Sequence, residues 1–493
     1  MRSQISCDLA MAHLQAGLLA GAFEVDITPP LDVPLGSGFN PPPVTGIADP
    51  LRARALVVSD GSTRVALACA DILAVDPQLS GDVRRFVQER TGLAPAQVMV
   101  CATHTHTCGG RLQPSRGNGD PALMEILARQ IAGAIAAAAE RLRPARLAAG
   151  STIVDGVSVN RRDPAVSIDR LLRVLRVESA GSESHGLIAA LTVFACHPTL
   201  VSRDRPALSA DFPGALAATV RNAFGPSVVV LPANGACGDV NPIACGTDGL
   251  EAARRIGQIL GGETIALLAG LAHRGGAPRG ENTRAGVALP VPLPAPALGR
   301  PPVRAVTATV RVPYKRFRAA EDADAEAAET SRHLLAAGVA PERVCAWQAG
   351  RSVPAQDTPA PGSDVSRLVA RLLRLRSEAW AARVAVHQGI VGRAYREIEL
   401  QAFVFGPEIA LLAVPFELFN SIGREIAAES PFPRLFLIGY ANDLGGYLMP
   451  DEEHAREGFE AGITFYGPGA AGVVRTAALN LLREAGAETP LAP

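Results

Sequence analysis

The sequence predicts an α/β fold, a single large domain in which a mixed β-sheet core is flanked by helices. Runs of apolar and β-branched residues alternate along the chain with segments of helical periodicity. The 493 residues are 48% hydrophobic, which is enough to bury a large core. The sequence contains no internal repeat and no coiled-coil heptad. We therefore assign residues 23–485 to the domain and residues 1–22 to an N-terminal extension.

The first predicted elements surround a turn-rich segment. The stretch "FEVDITPPLDVPLGSGF" combines paired prolines with Gly36 and Gly38, a pattern typical of an extended chain that enters a tight loop. Two β-branched runs then meet at Asp60-Gly61, which indicates a β-hairpin. Residues 77–90 fit a helix that ends at Gly92, and "QVMVCA" is typical of a buried strand.

Later elements continue the alternation. Helical periodicity predicts helices over residues 122–143, 212–224, 250–269, 319–337, 365–380 and 417–429. Apolar runs predict strands over residues 187–196, 227–231, 409–414 and 435–440. The Pro/Gly-rich segment 275–304 is compatible either with a linker or with an irregular crossing inside one domain.

The charge balance argues against nucleic acid and membrane as partners. With 47 basic and 48 acidic side chains the formal net charge is −1, and no basic stripe is present to neutralise phosphates. The apolar segment 10–23 is too short to cross ~30 Å of hydrocarbon, so we expect no membrane span. Asp8 also interrupts any secretory signal, which favours a cytoplasmic location.

The cysteines indicate packing rather than metal binding or a disulfide framework. They form no CxxC pair, and several lie in apolar strands. We expect reduced core thiols. The eight positions are Cys7, Cys69, Cys101, Cys108, Cys196, Cys237, Cys245 and Cys345.

Histidines stand at the exits of two predicted strands. His104 and His106 follow "VMVCA", and residues i and i+2 share one face if the extended conformation persists. His197 follows "LTVFAC" in the same manner. Strand exits converge where open α/β sheets hold ligands, which favours a metal site. The alternative is that these are structural histidines bonded to the backbone.

Polar residues gather in two further loops. "VVVLPANGACGDVNP" carries Asn234, Asp239 and Asn241 among glycines, and it fits either a ligand-binding loop or a turn capped by Asx side chains. Glu417 lies at a strand-to-helix junction and Tyr447 lies in a glycine-rich loop. A carboxylate is a routine zinc ligand, although Glu417 also fits a helix N-terminus and Tyr447 an ordinary loop aromatic.

Seven motifs in order resemble the N-terminal catalytic domain of neutral/alkaline non-lysosomal ceramidases and their bacterial relatives. They are "AGAFEVDITPP", "ATHTHT", "VNRR", "CHPTLVS…SADFPG", "NGACGDVNP", "VPFE" and "GGYLMP…FEAGITFYGPG", and they span about residues 23–472. The resemblance implies a zinc amidohydrolase whose ion is held by two histidines, a glutamate and a tyrosine. Carried over motif by motif, the implied ligands are His104, His197, Glu417 and Tyr447.

The resemblance implies roles beside the metal as well. His106 lies next to the ion and contacts substrate, as does Arg161 of "VNRR". Tyr447 either ionises on coordination or detaches and donates a hydrogen bond to the oxyanion. We expect Asp239 and Asp211 to orient the ligating histidines.

The chain departs from the ceramidase pattern at three points. Asn241 stands where the family has serine, its proposed nucleophile, and an asparagine cannot form an acyl intermediate. Phe459 replaces a tyrosine that is usual in the family. We also expect no C-terminal immunoglobulin-like domain after the last motif. These departures make ceramide itself doubtful as the substrate.

Together these features predict a zinc-dependent hydrolase that cleaves an amide (N-acyl) bond by zinc-activated water. The expected substrate is a small molecule, smaller or more polar than ceramide, with Asn241 orienting it or stabilising the oxyanion. Two alternatives stay open. One is a zinc Lewis-acid enzyme of another class, acting by ester or lactone hydrolysis, acyl transfer or proton abstraction. The other is a non-catalytic metal-retaining binding protein. Assembly into a homo-oligomer is also left open.

Overall fold

The computed structural model describes residues 17–31, 33–34, 43–109, 120–180, 186–201, 207–243, 249–272, 303–348, 359–360 and 362–487. Most of the predicted N-terminal extension lies outside the described residues. So do the predicted tight loop at Gly36 and Gly38, residues 275–302 of the Pro/Gly-rich segment, and Cys7 and Cys245.

The described residues form two principal sheets. The strands are β1 (Leu18–Asp26), β2 (Gly46–Ile47), β3 (Arg52–Ser59), β4 (Arg64–Ala70), β5 (Val98–Ala102), β6 (Arg143–Ile153), β7 (Ser158–Asn160), β8 (Leu171–Ser179), β9 (Leu187–Phe194), β10 (Ala207–Leu208), β11 (Val229–Asn234), β12 (Val240–Pro242), β13 (Val303–Pro313), β14 (Tyr395–Phe405), β15 (Ile409–Ala413), β16 (Glu417–Leu418), β17 (Arg434–Ile438) and β18 (Tyr447–Leu448).

The eight-stranded sheet has the order β11-β9-β8-β6-β1-β3-β4-β5, and the four-stranded sheet has the order β13-β14-β15-β17. Each sheet contains parallel and antiparallel pairs, so the predicted mixed α/β class is confirmed.

Helices cover the outer faces of both sheets. They are α1 (Pro77–Thr91), α2 (Pro121–Ala139), α3 (Asp211–Phe224), α4 (Leu250–Leu271), α5 (Ala320–Ala336), α6 (Pro341–Gln348), α7 (Asp364–His387), α8 (Asn420–Glu429), α9 (Phe459–Ile463) and α10 (Ala470–Gly486). Helices α1, α2, α3 and α4 pack on the large sheet through apolar cores, and α8 and α10 pack on the small sheet through another. Helices α5 to α7 pack on one another around a separate apolar cluster.

The two sheets pack face to face through a shared core. Leu67 and Leu191 of the large sheet lie in the same cluster as Phe403 and Leu411 of the small sheet. The alternation of side chains along a strand explains this arrangement. Phe403 points between the sheets, whereas its neighbours on β14 point toward the helices. The result is four layers in the order helix, sheet, sheet and helix. Strand ends from both sheets lie close together in one region.

Local signals predicted several boundaries correctly. The hairpin at Asp60-Gly61 joins β3 to β4, with Gly61 at a φ of 90° that favours glycine. Helix α1 begins after Asp76, whose side chain accepts the Leu79 N–H, and ends at Gly92 in the left-handed region.

Other boundaries differ from the prediction. The helix predicted over 122–143 ends at Ala139, and Arg143 instead begins β6. The helix predicted over 417–429 begins at Asn420, because Glu417–Leu418 pairs with Tyr447–Leu448 as a short parallel ladder. Strands β6, β13 and β14 were not predicted, since exposed polar residues break up their apolar runs.

The cysteine prediction holds for the buried positions and is wrong for one. Cys69, Cys101, Cys108, Cys196 and Cys237 are buried and form no disulfide within the described part of the chain, as expected for core thiols. Cys345 is exposed, because it lies on an outer face of α6. Cys69 and Cys101 are neighbours on parallel strands, with their Sγ atoms 3.1 Å apart.

One helix among the described residues is long and apolar enough to span a membrane. It is α2, whose inner face packs in the core against β1 and β3. A buried core helix passes the same length and composition test. Its apolar character is therefore explained by packing on the sheet.

We expect the substitution Gly257→Ala to lower stability. A Cβ atom at Gly257 on α4 would lie 2.4 Å from Ala215 Cβ and 2.8 Å from the Phe212 carbonyl oxygen, so α3 and α4 must separate. Such overpacking costs about 1–3 kcal/mol. The matched control is Gly262→Ala on the same helix, where a Cβ meets nothing within 4 Å and should stabilise by about 1 kcal/mol. Urea unfolding of both variants measures the difference, and equal midpoints would contradict the close helix contact.

Candidate metal centre

His104 is held in a left-handed turn just beyond strand β5. The strand ends at Ala102, and His104 has a φ of 68°, so the extended conformation expected through His106 does not persist. The His104 N–H bonds to Ile72 O at 3.0 Å, and its Nδ1 lies 2.7 Å from Leu73 O. A carbonyl only accepts, so Nδ1 carries the proton and the Nε2 lone pair points away.

His197 is fixed in the same manner from another strand. It follows β9, and its Nδ1 lies 2.6 Å from Cys237 O. The carbonyl again places the proton on Nδ1. Its Nε2 is buried and has no hydrogen-bond partner among the described residues. A buried imidazole nitrogen without a hydrogen-bond partner is typical of a metal ligand.

The carboxylate of Glu417 faces both imidazoles. Its Oε2 lies 3.5 Å from His104 Nε2 and 3.4 Å from His197 Nε2. Two donors bound tetrahedrally to one zinc ion lie about 3.3 Å apart, given bond lengths of about 2.0–2.1 Å. The spacing of these three donors therefore fits a single metal ion.

His106 lies beside this group. Its Nε2 is 3.3 Å from His104 Nε2, and the ligand atoms of His104, His106 and His197 all lie within 4.8 Å of one another. The predicted i, i+2 pair does meet, but through the turn at His104 rather than along one face of a strand.

The electrostatics suit cation binding. Burial, together with the nearby Arg161 charge, lowers the pKa of His197 to about 4, so the imidazole is neutral at pH 7. Burial alone would raise the pKa of Glu417, but the close approach of His104 and His197 outweighs burial and holds that pKa well below its ordinary value. A neutral imidazole at His197 and an ionised carboxylate at Glu417 are the forms that bind a divalent cation.

Arg161 joins Tyr447 and Asn241 to this centre. Its Nη2 donates to the Tyr447 hydroxyl at 3.0 Å, and its Nη1 donates to Asn241 Oδ1 at 3.3 Å. Tyr447 pairs in register with Glu417 through the β16–β18 ladder. The ladder of β7 and β12 brings Arg161 and Asn241 to the same place. Arg161, Tyr447 and Asn241 are thus connected to one another beside Glu417.

The orienting role predicted for Asp211 and Asp239 is not supported, because neither carboxylate contacts a histidine. Asp211 accepts the N–H groups of Leu200 and Val201, and it anchors the loop after His197. Asp239 accepts from the Asn160 side chain and from the Asn420 N–H. Backbone carbonyls orient the histidines instead.

Asn234 belongs to the scaffold rather than to the centre. Its side chain accepts from the Cys196 N–H and donates to Cys196 O, and it bridges β11 to the loop before His197. The two alternatives that the sequence left for this loop, a capped turn and a ligand-binding loop, therefore apply to different residues. Asn234 and Asp239 stabilise the turns, and Asn241 faces Arg161.

Two residues near the centre were missed by sequence reasoning. Tyr440 stacks on His104 with ring centroids 3.9 Å apart, and its hydroxyl contacts Cys237 Sγ at 3.1 Å. Glu460 accepts from Arg161 at 2.7 Å. Nothing in the pattern around Tyr440 marked it, whereas Glu460 lies beside Phe459 in a motif already singled out.

Comparison with known proteins finds a family model that matches the N-terminal part of the chain. Residues 19–252, just under half of the chain, match the family model of the neutral/alkaline non-lysosomal ceramidase N-terminal domain. The resemblance inferred from the seven motifs is thereby confirmed. No curated protein matches the chain significantly in sequence.

Solved structures share the fold. The neutral ceramidase from Pseudomonas aeruginosa aligns over 97% of this chain and 76% of its own, with a TM-score of 0.65 and 19% identity. A ceramidase complexed with C2 aligns over 97% of this chain and 77% of its own, with a TM-score of 0.66 and 18% identity.

Removing either imidazole is expected to abolish metal retention. His104→Ala and His197→Ala each remove one of the two imidazole nitrogens that face Glu417. Elemental analysis after dialysis measures the bound metal, with His387→Ala on the exposed end of α7 as the control. Full zinc occupancy in both site variants would refute this donor set.

Proposed function

We propose, from the ceramidase-family match of residues 19–252 and the centre they help to form, that the chain is a zinc-dependent hydrolase of amide (N-acyl) bonds. The observation that carries this proposal is the placement of Glu417 Oε2 between two imidazole nitrogens. His104, His197 and Glu417 would hold the ion, with Tyr447 as the fourth ligand. When bound, zinc supplies a Lewis acid that lowers the pKa of a coordinated water to about 7 and polarises the amide carbonyl.

The protein's own groups would bind and orient the substrate. Arg161 directs two N–H groups toward Tyr447 and Asn241, and so places a fixed positive charge beside the centre. His106 approaches His104 from the side and is suited to contact the substrate. Asn241 has no hydroxyl, so the attacking oxygen comes from water rather than from this side chain, and the amide orients the substrate or stabilises the oxyanion.

We propose a substrate smaller or more polar than ceramide. The polar groups of Arg161 and Asn241 favour a ligand with hydrogen-bonding groups close to the scissile bond. The Phe459 ring lies 6.0 Å from the Tyr447 ring and adds an apolar wall without a hydroxyl. A cytoplasmic location is proposed as well, supported by the five buried thiols, none of which forms a disulfide within the described residues.

Metal removal should abolish activity and lower thermal stability. A ligand that binds only the folded state stabilises it by about 2.7 kcal/mol at one hundred times its dissociation constant. We expect dialysis against a chelator to lower the melting temperature, and added zinc to restore both stability and activity. Calorimetry with and without zinc tests this, and an unchanged melting temperature would contradict a resident ion.

Asn241→Ala is expected to retain the metal and to lower turnover about 100-fold, the usual effect of losing one oxyanion donor. Asn241 is not one of the proposed ligands, so metal content should not change. Asn222→Ala on the exposed surface of α3 is the matched control. Loss of metal from Asn241→Ala would move this residue into the ligand set and contradict its assigned role.

Hydrolysis in labelled water identifies the reaction class. N-acyl amino acids, simple amides and esters are incubated in ¹⁸O-water, and mass spectrometry locates the label. Amide hydrolysis deposits one labelled oxygen in the carboxylate product. Turnover of esters or lactones alone, acyl transfer without label, or metal binding without turnover would each replace the proposed function with a different one.

A further inference from the structure

A buried ionic cluster lies behind Arg161. The Glu460 carboxylate, 5% exposed, accepts from Arg161 Nε at 2.7 Å through Oε1. Its Oε2 accepts from Arg162 Nη1, also at 2.7 Å. One carboxylate therefore holds two consecutive arginines, each through a separate oxygen. Short charge-assisted bonds of this kind fix geometry as well as charge.

The bond to Nε determines where the rest of the guanidinium points. The group is planar and its five N–H directions are rigid, so holding Nε fixes the plane. Nη1 then reaches Asn241 Oδ1, and Nη2 reaches the Tyr447 hydroxyl. Because arginine only donates, the Asn241 atom that faces it must be the oxygen. Glu460 thus fixes, through Arg161, the orientation of two groups at the centre.

The second arginine completes the cluster without touching the centre. Arg162 Nε donates to Glu453 Oε2 at 2.6 Å. Arg161 and Arg162 therefore face two glutamates, and Glu453 Oε1 also accepts from the half-exposed Arg456 at 2.7 Å, so each buried charge of the cluster has an opposite partner. The positive charges of Arg161 and Arg162 outweigh the burial of Glu460 and lower its pKa, so the carboxylate stays ionised.

Helix α9, which carries Glu460, is firmly seated. Lys315, the only lysine in the sequence, donates from Nζ to Gly462 O at 2.8 Å. A Cβ atom at Gly462 would lie 2.3 Å from Arg374 O, so α7 closely contacts this helix. The position of Glu460 is therefore set on one side by Lys315, just after β13, and on the other by α7.

We propose that Glu460 is a positioning residue for the centre. It holds the guanidinium of Arg161 so that Tyr447 and Asn241 face the substrate in a fixed arrangement. Each Glu460 oxygen holds a different arginine, and the one that holds Arg161 fixes a side chain that reaches two groups of the centre. The catalytic consequence rests on the proposed hydrolase function, whereas the geometric part is independent of it.

The geometric part is tested by nuclear magnetic resonance of ¹⁵N-arginine-labelled protein. Buried Nε–H groups bonded to carboxylates exchange slowly, and Arg161→Lys and Arg162→Lys assign the two signals. We expect Glu460→Gln to shift or abolish the Arg161 signal. Glu453→Gln, the matched control, should alter the Arg162 signal and leave that of Arg161 unchanged. An Arg161 signal unaffected by Glu460→Gln overturns the proposal.

The catalytic part is tested by a double-mutant cycle. Glu460→Gln should lower kcat by about 10- to 100-fold with unchanged zinc content, since small misplacements of positioning groups have effects of this size. In an Arg161→Ala background the same change should have no further effect, because Glu460 acts through Arg161. Multiplicative losses in the double variant would overturn the proposal.

Two controls keep these outcomes separable. If Glu460→Gln does not fold, Glu460→Asp retains the charge but is too short to reach Nε, and it should show the same loss of the Arg161 signal. If wild-type protein hydrolyses no N-acyl compound, the proposed function fails. The Arg161 resonance then still decides whether Glu460 positions the guanidinium.

Discussion

The negative charge of Glu417, buried against the imidazoles of His104 and His197, is the constraint on which the centre depends. A buried carboxylate without a compensating cation is costly, and its Oε2 lies within 3.5 Å of two imidazole nitrogens that would bind a divalent cation together with it. The two imidazoles come from strand exits of the large sheet, and the carboxylate follows β15 of the small sheet. The face-to-face packing of two sheets is therefore what assembles the three donors.

The sequence predicted the alternation of strands and helices because apolar runs and helical periodicity record burial directly. It also predicted that the strand exits at His104 and His197 would converge, and the structure brings them together. The sequence did not predict contacts between residues that are distant in the chain. The extended conformation expected at His104 is replaced by a left-handed turn, and Asp211 and Asp239 bond to backbone and amide groups that no local pattern identifies.

Arg161 illustrates the same limit at the centre. The motif resemblance placed it near the substrate, but its contacts come from β12, β18 and α9, which the sequence separates by 80 to about 300 positions. Asn241 replaces the expected nucleophile, yet its side-chain oxygen faces the guanidinium, which gives the residue a definite orientation. The departure from the family pattern is thus accommodated inside an otherwise connected network of hydrogen bonds.

Both imidazoles of the proposed donor set take their orientation from main-chain oxygens, those of Leu73 and Cys237. Every amino acid carries such an oxygen, so replacing the side chain at either position leaves the anchor in place. Substitutions around the histidines can therefore accumulate without changing which ring nitrogen carries the proton. A fold shared with the Pseudomonas enzyme at 19% identity is compatible with that tolerance.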